Sequence, residues 1–285
     1  MSKYAVFTMD VEAFSDTECI RASGNRTEEE LLDGFDRYIS LLDRYGIKST
    51  LFTVGRLAPQ MTDRLRRCIR KGHRLALHSY DHIAPMTQSP EQFREQTLQA
   101  RTQMSQLFNT QVEGFRAPCF SIDRQRLDIL KELGFRYDSS HLGFTKARHT
   151  VELDLDSFRQ VRSNVYQQDG FYEFGISRQK LFGCSFPISG GGYVRLPHWG
   201  TIKHLIRRHI KKNDYYVFYL HPFELTCQRI PIIRKLKLYD QIYLHAGIRS
   251  YSQKIEQIIQ MLKAHGYRFV TFEELTQIMS REQAK

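Results

Sequence analysis

Four short apolar runs along this chain each end in a cluster of ionisable residues, and that recurrence constrains the fold more than any single motif does. Tyr4–Met9 leads into Asp10-Val11-Glu12, His73–Leu77 into His78-Ser79-Tyr80-Asp81-His82, Val112–Arg116 into Arg116-Ala117-Pro118, and Tyr215–Leu220 into His221-Pro222-Phe223-Glu224. Residues two apart on an extended backbone point the same way. Asp10 and Glu12 can therefore act jointly, one holding a metal while the other takes a proton. Two histidines four apart, His78 and His82, can bring both imidazoles to one point, the local geometry a divalent metal needs. A lone pair of this spacing is more often a helix cap plus a half-buried core histidine. Four such clusters at strand ends indicate one site.

Helical patterns separate these runs. Thr27-Glu28-Glu29-Glu30 predicts a helix start, with an N-cap and an acidic first turn, and Leu31, Leu32, Phe35, Tyr38, Ile39 and Leu42 as its apolar face before Gly46. Ser49–Val54 reads as a second strand and Asp63–Lys71 as a second helix, stopped by Gly72. Ser89-Pro90 opens a helix that runs to Leu107, with Pro at the first helical position. Ile122–Leu133 is helical, closed by Gly134, and Phe135–Tyr137 brings Asp138 to another strand end. From 144 to 200 the pattern loosens into short segments with a turn at Gly190-Gly191-Gly192. Thr201–Lys212 is a basic amphipathic helix, Tyr251–Gly266 a further helix, and Arg268–Thr271 a last strand before a helix from Phe272. Repeated strand and helix units predict a parallel α/β barrel or a doubly wound sheet. In both, the active site lies at the C-terminal strand ends.

At 285 residues and 41% hydrophobic content, the chain can bury its core as one domain spanning 1–285, with the motifs in 4–225 and a strand and helix cover from 226. Five cysteines without CxxC spacing suggest neither a disulfide framework nor a thiolate zinc site, which favours a reducing compartment. The apolar start, broken at Asp10, is too short for a signal-peptide core, and no run approaches the roughly 18 apolar residues of a membrane span. The expectation is a cytoplasmic protein. The net charge of +11 is concentrated at Arg207, Arg208, Lys211 and Lys212 and again at Arg229, Arg234, Lys235 and Lys237. Such a surface either engages an anionic substrate or an anionic membrane, or is merely solvated. Nucleic acid is not expected, because no reading motif accompanies the charge.

Taken together, Thr8-Met9-Asp10-Val11-Glu12, His78–His82, Gly114-Phe115-Arg116-Ala117-Pro118 and Leu220-His221-Pro222 resemble the polysaccharide deacetylases with a NodB-type domain, carbohydrate esterase family 4. The stretches Gly114–Ser121, Tyr137–Ser140, Gly190–Leu196 and Tyr219–Glu224 look closest to its exopolysaccharide-biosynthesis branch. The resemblance implies an incomplete (β/α)7 barrel and a single divalent metal, most simply zinc. It implies Asp10 as catalytic base, His78 and His82 as ligands, Arg116 as the partner of the base and His221 as general acid. Val11 stands where the commoner pattern has a second aspartate, so Glu12 takes the place of the third ligand. Cys119 replaces a tyrosine whose backbone N–H serves the oxyanion. The usual Asp-x-x-Asp-Trp is absent, which leaves Asp138 as the stand-in for the carboxylate that tunes the acid. Glu224 and Trp199 are candidates for the substrate side.

The implied activity is removal of the acetyl group from an N-acetylated amino sugar, lipid-linked or nucleotide-linked if the chain is cytoplasmic. The alternatives are another amide hydrolysis on the same scaffold, either deformylation of a lipid-linked sugar or an allantoinase-like ureide opening, and a catalytically silent carbohydrate-binding relative.

Overall fold

The computed structural model describes residues 2–25, 27–143, 153–181 and 184–283. Its strands are β1 (Lys3–Val11), β2 (Ser49–Thr53), β3 (Arg74–Leu77), β4 (Gly114–Phe115), β5 (Tyr137–Asp138), β6 (Arg159–Arg162), β7 (Val165–Gln168), β8 (Phe171–Phe174), β9 (Arg178–Leu181), β10 (Cys184–Pro187), β11 (Tyr215–Leu220) and β12 (Tyr267–Phe269). The helices are α1 (Glu18–Ala22), α2 (Asp33–Tyr45), α3 (Thr62–Arg70), α4 (Pro90–Phe108), α5 (Arg124–Glu132), α6 (Gly192–Arg195), α7 (Trp199–Lys212), α8 (Leu238–His245), α9 (Ile248–Ala264) and α10 (Phe272–Gln283).

Seven strands run parallel in the order β11-β1-β2-β3-β4-β5-β8, the incomplete seven-stranded barrel expected from the motifs. β7 and β6 extend it antiparallel beyond β8. Tyr4 and Ala5 pair with both β11 and β12, so β12 takes the edge of β1 that β2 occupies only from Phe7 onward. Between β8 and β11 the gap is bridged by irregular backbone. Ile176 N donates to His141 O, Ile188 N to Ser177 O, and Tyr219 N to Ser189 O.

Alternation along each strand divides the core in two, as the period of a pleated strand requires. Ala5, Phe7, Met9 and Val11 face outward to the helices, as do Leu75, Leu77, Tyr216, Phe218 and Leu220. Tyr4, Val6, Ala76, Tyr137, Tyr215, Val217 and Tyr219 fill the interior. The start of α10 plugs the bottom of that interior, with Phe272 stacked 4.7 Å from Phe174 and tilted against Phe52 at 6.0 Å. The close fit explains a glycine: a Cβ on Gly114 would lie 2.0 Å from the Tyr137 ring.

One helix start differs from expectation. Thr27 Oγ1 caps only a local turn, accepting from Glu29 N, and Leu31 has φ 49, a left-handed conformation that breaks any helix there. α2 begins at Asp33 instead, and tertiary contacts explain the choice. Asp33 accepts from Thr226 Oγ1 at 2.6 Å and Cys227 N at 2.8 Å, and the backbone of Gly34 lies so near Pro222 that a Cβ would sit 1.8 Å from its carbonyl oxygen. The helix start thereby clamps the turn that follows His221. α8 was also not foreseen, since its apolar residues do not form a buried stripe.

Candidate active site

The same alternation that builds the barrel aims the site residues. Asp10 continues the inward row Tyr4, Val6, Thr8, and Glu12 follows it. His78 continues Arg74 and Ala76, Arg116 continues Gly114, and His221 continues Tyr215, Val217 and Tyr219. All lie at C-terminal strand ends, so the five side chains converge above the packed interior.

Arg116 is the floor of the site. It is fully buried, its guanidinium 4.1 Å from the centre of the Phe52 ring. Nε donates to Ser139 O at 3.0 Å, Nη2 to Ser139 Oγ at 3.0 Å, and Nη1 to Thr8 Oγ1 at 2.8 Å and Asp10 Oδ1 at 2.7 Å. Three of these bonds, to Ser139 O, Ser139 Oγ and Thr8 Oγ1, fix the guanidinium independently of Asp10. Oδ1 of Asp10 is therefore held, and Oδ2 faces His221 Nε2 across 4.0 Å.

Glu12, His78 and His82 are buried, with one potential ligand atom each, all within 4.8 Å of one another. Glu12 Oε2 is 2.6 Å from His82 Nε2 and 3.8 Å from His78 Nε2. His78 Nδ1 lies 2.8 Å from the carbonyl oxygen of Arg116, which can only accept, so Nδ1 carries the proton and Nε2 presents its lone pair. The loop between the histidines is not helical. Ser79 and His82 have φ of 60° and 52°, and the loop is held because Gly55 N and Arg56 N donate to the carbonyls of Ser79 and Tyr80. Strain in non-glycine residues at such a place is a recurrent mark of a functional site. Two imidazoles and a carboxylate with a fixed tautomer suit a divalent cation with positions left over. Burial would raise the Glu12 carboxyl, but the charges of His82 and His221 and the hydrogen bond of His82 hold it well below its ordinary value.

His221 stands opposite, its side chain 16% exposed and its Nε2 4.0 Å from both Asp10 Oδ2 and Glu12 Oε1. Its Nδ1 is 3.1 Å from Glu224 Oε2, which also accepts from His221 N at 3.1 Å. Glu224 Oε1 accepts from Arg195 Nε at 2.8 Å, and neither side chain of that pair is exposed. Burial would lower the His221 imidazole, but Glu12, Glu224 and Asp10 lift it to about 9.

The carboxylate that bonds His221 is thus Glu224, not Asp138. Tyr137 fills the barrel interior, so Asp138 beside it turns to the other face. There it receives Ser140 N at 3.0 Å and Ser140 Oγ at 2.9 Å and pairs in register with Glu173. Glu224 is a buried partner of the histidine rather than a surface contact for substrate. Trp199 lies in the helical layer: its Nε1 donates to Gln257 of α9 at 3.0 Å, and Lys203 and Lys254 approach its ring. Cys119 is half-buried in the Pro118–Phe120 turn directly after Arg116, at φ 57. Sequence reasoning missed the function of Arg195. The available signal was His221-Pro222-Phe223-Glu224, which has Pro at the first and Glu at the third position of a helical turn, the pattern of a capping box. That pattern returns the Glu carboxylate to the residue at the cap.

Asp138 and Glu173 share one buried space. Burial pushes the Asp138 carboxyl up to about 6, and burial with the Asp138 charge pushes Glu173 well above its ordinary 4.5. Raised acids bind protons more tightly in the folded than in the unfolded chain, so folding stability must fall as pH rises from the ordinary carboxyl range through about 6. Glu173→Gln should flatten that fall, with urea midpoints closer between pH 4.5 and pH 8 than in the wild type. A variant whose midpoint falls with pH as steeply as the wild type contradicts the shared-proton account.

Fold and site together define an α/β barrel with a two-histidine, one-carboxylate metal-type centre beside a buried Asp–Arg pair. The family model described as polysaccharide deacetylase matches residues 32–137, and one described as a domain of unknown function (DUF3473) matches 144–277. The peptidoglycan deacetylase-like protein FGM2 of Gibberella zeae is 31% identical over 112 residues, 39% of this chain and 33% of that protein. The peptidoglycan deacetylase of Helicobacter pylori is 25% identical over 114 residues, 39% of each chain. The matches thus span between a third and two fifths of these relatives. A Mycobacterium smegmatis crystal structure, provisionally described as a polysaccharide deacetylase, superposes with a TM-score of 0.62 at 16% identity, over 99% of this chain and 92% of that one. At that identity the likeness concerns the fold.

Proposed function

We propose that the site hydrolyses the acetamido group of an N-acetylated amino sugar, in a glycan or a lipid-linked or nucleotide-linked glycan precursor. The observation that carries this reading is the convergence of two acid–base systems, Asp10–Arg116 and His221–Glu224, on one space beside the Glu12, His78 and His82 cluster, with His221 Nε2 4.0 Å from Asp10 Oδ2. An amide is a poor electrophile with a poor leaving group, so its hydrolysis needs an activated water, a stabilised oxyanion and a proton for nitrogen. Glu12, His78 and His82 would hold the divalent cation, which on binding lowers the pKa of water and polarises the acetyl carbonyl. Zinc is our assignment, on the nitrogen and oxygen donor set. Asp10 Oδ2 takes the proton of the attacking water while Arg116 fixes the other oxygen. The Cys119 backbone N–H, in the turn after Arg116, serves the oxyanion. His221 gives the departing nitrogen its proton, and the Nδ1 contact to Glu224 keeps Nε2 turned toward the reacting atoms.

Glu224 and Asp10 favour the protonated His221 imidazole, so activity should fall on the alkaline side as His221 loses its proton. Glu224→Gln removes one of those charges. The alkaline limb of the kcat profile is expected to move to lower pH. A limb that stays in place assigns that titration to another group.

The described cysteines Cys19, Cys68, Cys119 and Cys227 are not in disulfides, and no described helix is long and apolar enough to cross a membrane. We place the protein in the cytoplasm on the first of these observations, which favours a glycan precursor over finished polymer. The basic stretch Arg207–Lys212 forms the last turns of α7. In the turn after it, Asp214 O accepts from Tyr4 N, at the strand starts and thus the barrel end away from His221. It is not placed to meet a substrate at the site.

The test is a screen of acetamido, formamido and ureido substrates with the metal-loaded protein, read by mass spectrometry. Loss of acetyl with release of a free amine from an amino sugar is expected. Turnover confined to a formamido sugar or a ureide would transfer the site to that chemistry, and no turnover with sugar binding would make it a silent relative.

A further inference from the structure

Six large hydrophobic side chains are strongly exposed among the described residues, and four of them fall within one short stretch. Ile232 is 73% exposed, and Leu238, Tyr239 and Ile242 are 76%, 71% and 49% exposed. The last three share one face of α8 at spacings of one and four, while Leu244 on the opposite face is fully buried. A cluster of this kind marks an interaction surface rather than ordinary scatter.

The charge around it selects the partner. Arg229, Arg234, Lys235 and Lys237 are exposed and make no ion pair among the described residues, and the only acid between 229 and 245 is Asp240, which is half-buried. A second protein surface of ordinary composition needs no such excess of cations. An anionic bilayer does, because basic residues engage its headgroups while apolar side chains, and tyrosine at the boundary, enter below them.

The placement of this surface is what gives it a use. Ile230, Ile233 and Leu244 pack with Phe14 and Phe223, which follow β1 and β11 at the site end of the barrel. Asn25 Nδ2 donates to Arg234 O at 2.9 Å, fixing the basic loop to the segment after β1. Arg195 donates through Nη2 to Tyr243 O at 2.6 Å and through Nη1 to Ala246 O, while its Nε holds Glu224, the partner of His221. The exposed helix is therefore joined to the acid side of the site through one buried guanidinium.

We propose that Ile232 and the Leu238, Tyr239 and Ile242 face of α8, with the cations of 229–237, form a docking surface for an anionic lipid bilayer that sets the site end of the barrel at the headgroup layer. The reading concerns binding alone and does not depend on which bond the site hydrolyses.

It is tested by flotation with vesicles of equimolar phosphatidylcholine and phosphatidylglycerol, against pure phosphatidylcholine, at low and high salt. The wild type is expected to float with the anionic vesicles and to be released by salt. Arg234→Glu/Lys235→Glu/Lys237→Glu should lower the partition coefficient on the order of a hundredfold, from about fivefold per cation near such a surface. Leu238→Ser/Tyr239→Ser/Ile242→Ser should lower it as clearly with circular dichroism unchanged, and Arg207→Glu/Arg208→Glu at the far end should leave it as it was. Wild type that does not bind the anionic vesicles overturns the proposal, as does binding lost only in the Arg207 and Arg208 variant. Sedimentation equilibrium covers the remaining occupant: a lipid-free dimer that the three serines dissociate would make this face a contact between copies of the chain.

Discussion

Asp10→Asn is expected to lower turnover on the acetamido substrate on the order of 10²–10⁴-fold with bound metal unchanged. The substitution is nearly isosteric, and the buried guanidinium of Arg116 keeps its bonds to Ser139 and Thr8. The amide oxygen can still accept from Nη1, so the shape of the floor survives while the oxygen that takes a proton becomes an NH₂ group or a weak base. Elemental analysis alongside single-turnover kinetics separates the two effects. Equal loss of metal and activity would make Asp10 a ligand, and activity near wild type would remove it as the base.

A comparable loss is expected from His78→Ala/His82→Ala, by a different route. The wild type should carry one divalent ion per chain, and the double variant should retain none while activity falls to background. Glu12 alone cannot hold the ion, because a single buried carboxylate leaves most of its coordination to water. Readdition of metal should restore a chelator-treated wild type and not the variant. An unchanged metal content in the double variant would place the ion elsewhere. Because the order of divalent affinities favours whichever strong binder is abundant, the ion found after purification need not be the one that gives the highest turnover.

The residues that converge on the site were legible because strand periodicity decides where they point. Once Tyr4, Val6 and Thr8 face inward, Asp10 must, and the same count along β3, β4 and β11 delivers His78, Arg116 and His221. Applied to β5, the same count would have turned Asp138 away, since Tyr137 is the large apolar residue the interior needs. What sequence could not supply was the partner of Glu224. Arg195 and Glu224 are separated by a helix and a strand, and only the folded chain brings Nε within 2.8 Å of the carboxylate. The start of α2 was hidden for a related reason, because Asp33 is chosen by the turn at Thr226 and Cys227 rather than by helix propensity. Local chemistry at Thr27 offered an equally good cap, and tertiary contact overrode it.

The division of labour between Asp10 and His221 is tested most directly by the response of His221→Ala to the leaving group. Both face the same small space, Asp10 Oδ2 and Glu12 Oε1 each 4.0 Å from His221 Nε2, and only the acid is needed when nitrogen departs. Turnover of the variant should be measured on an acetamido sugar and on an acetyl ester with a good leaving group, each against wild type. The amide is expected to lose on the order of 10²–10⁴-fold, and the activated ester much less, because its leaving group departs without a proton. Equal losses on the two substrates would show that His221 positions substrate or supports the turn at Pro222, and that the proton for nitrogen comes from another group.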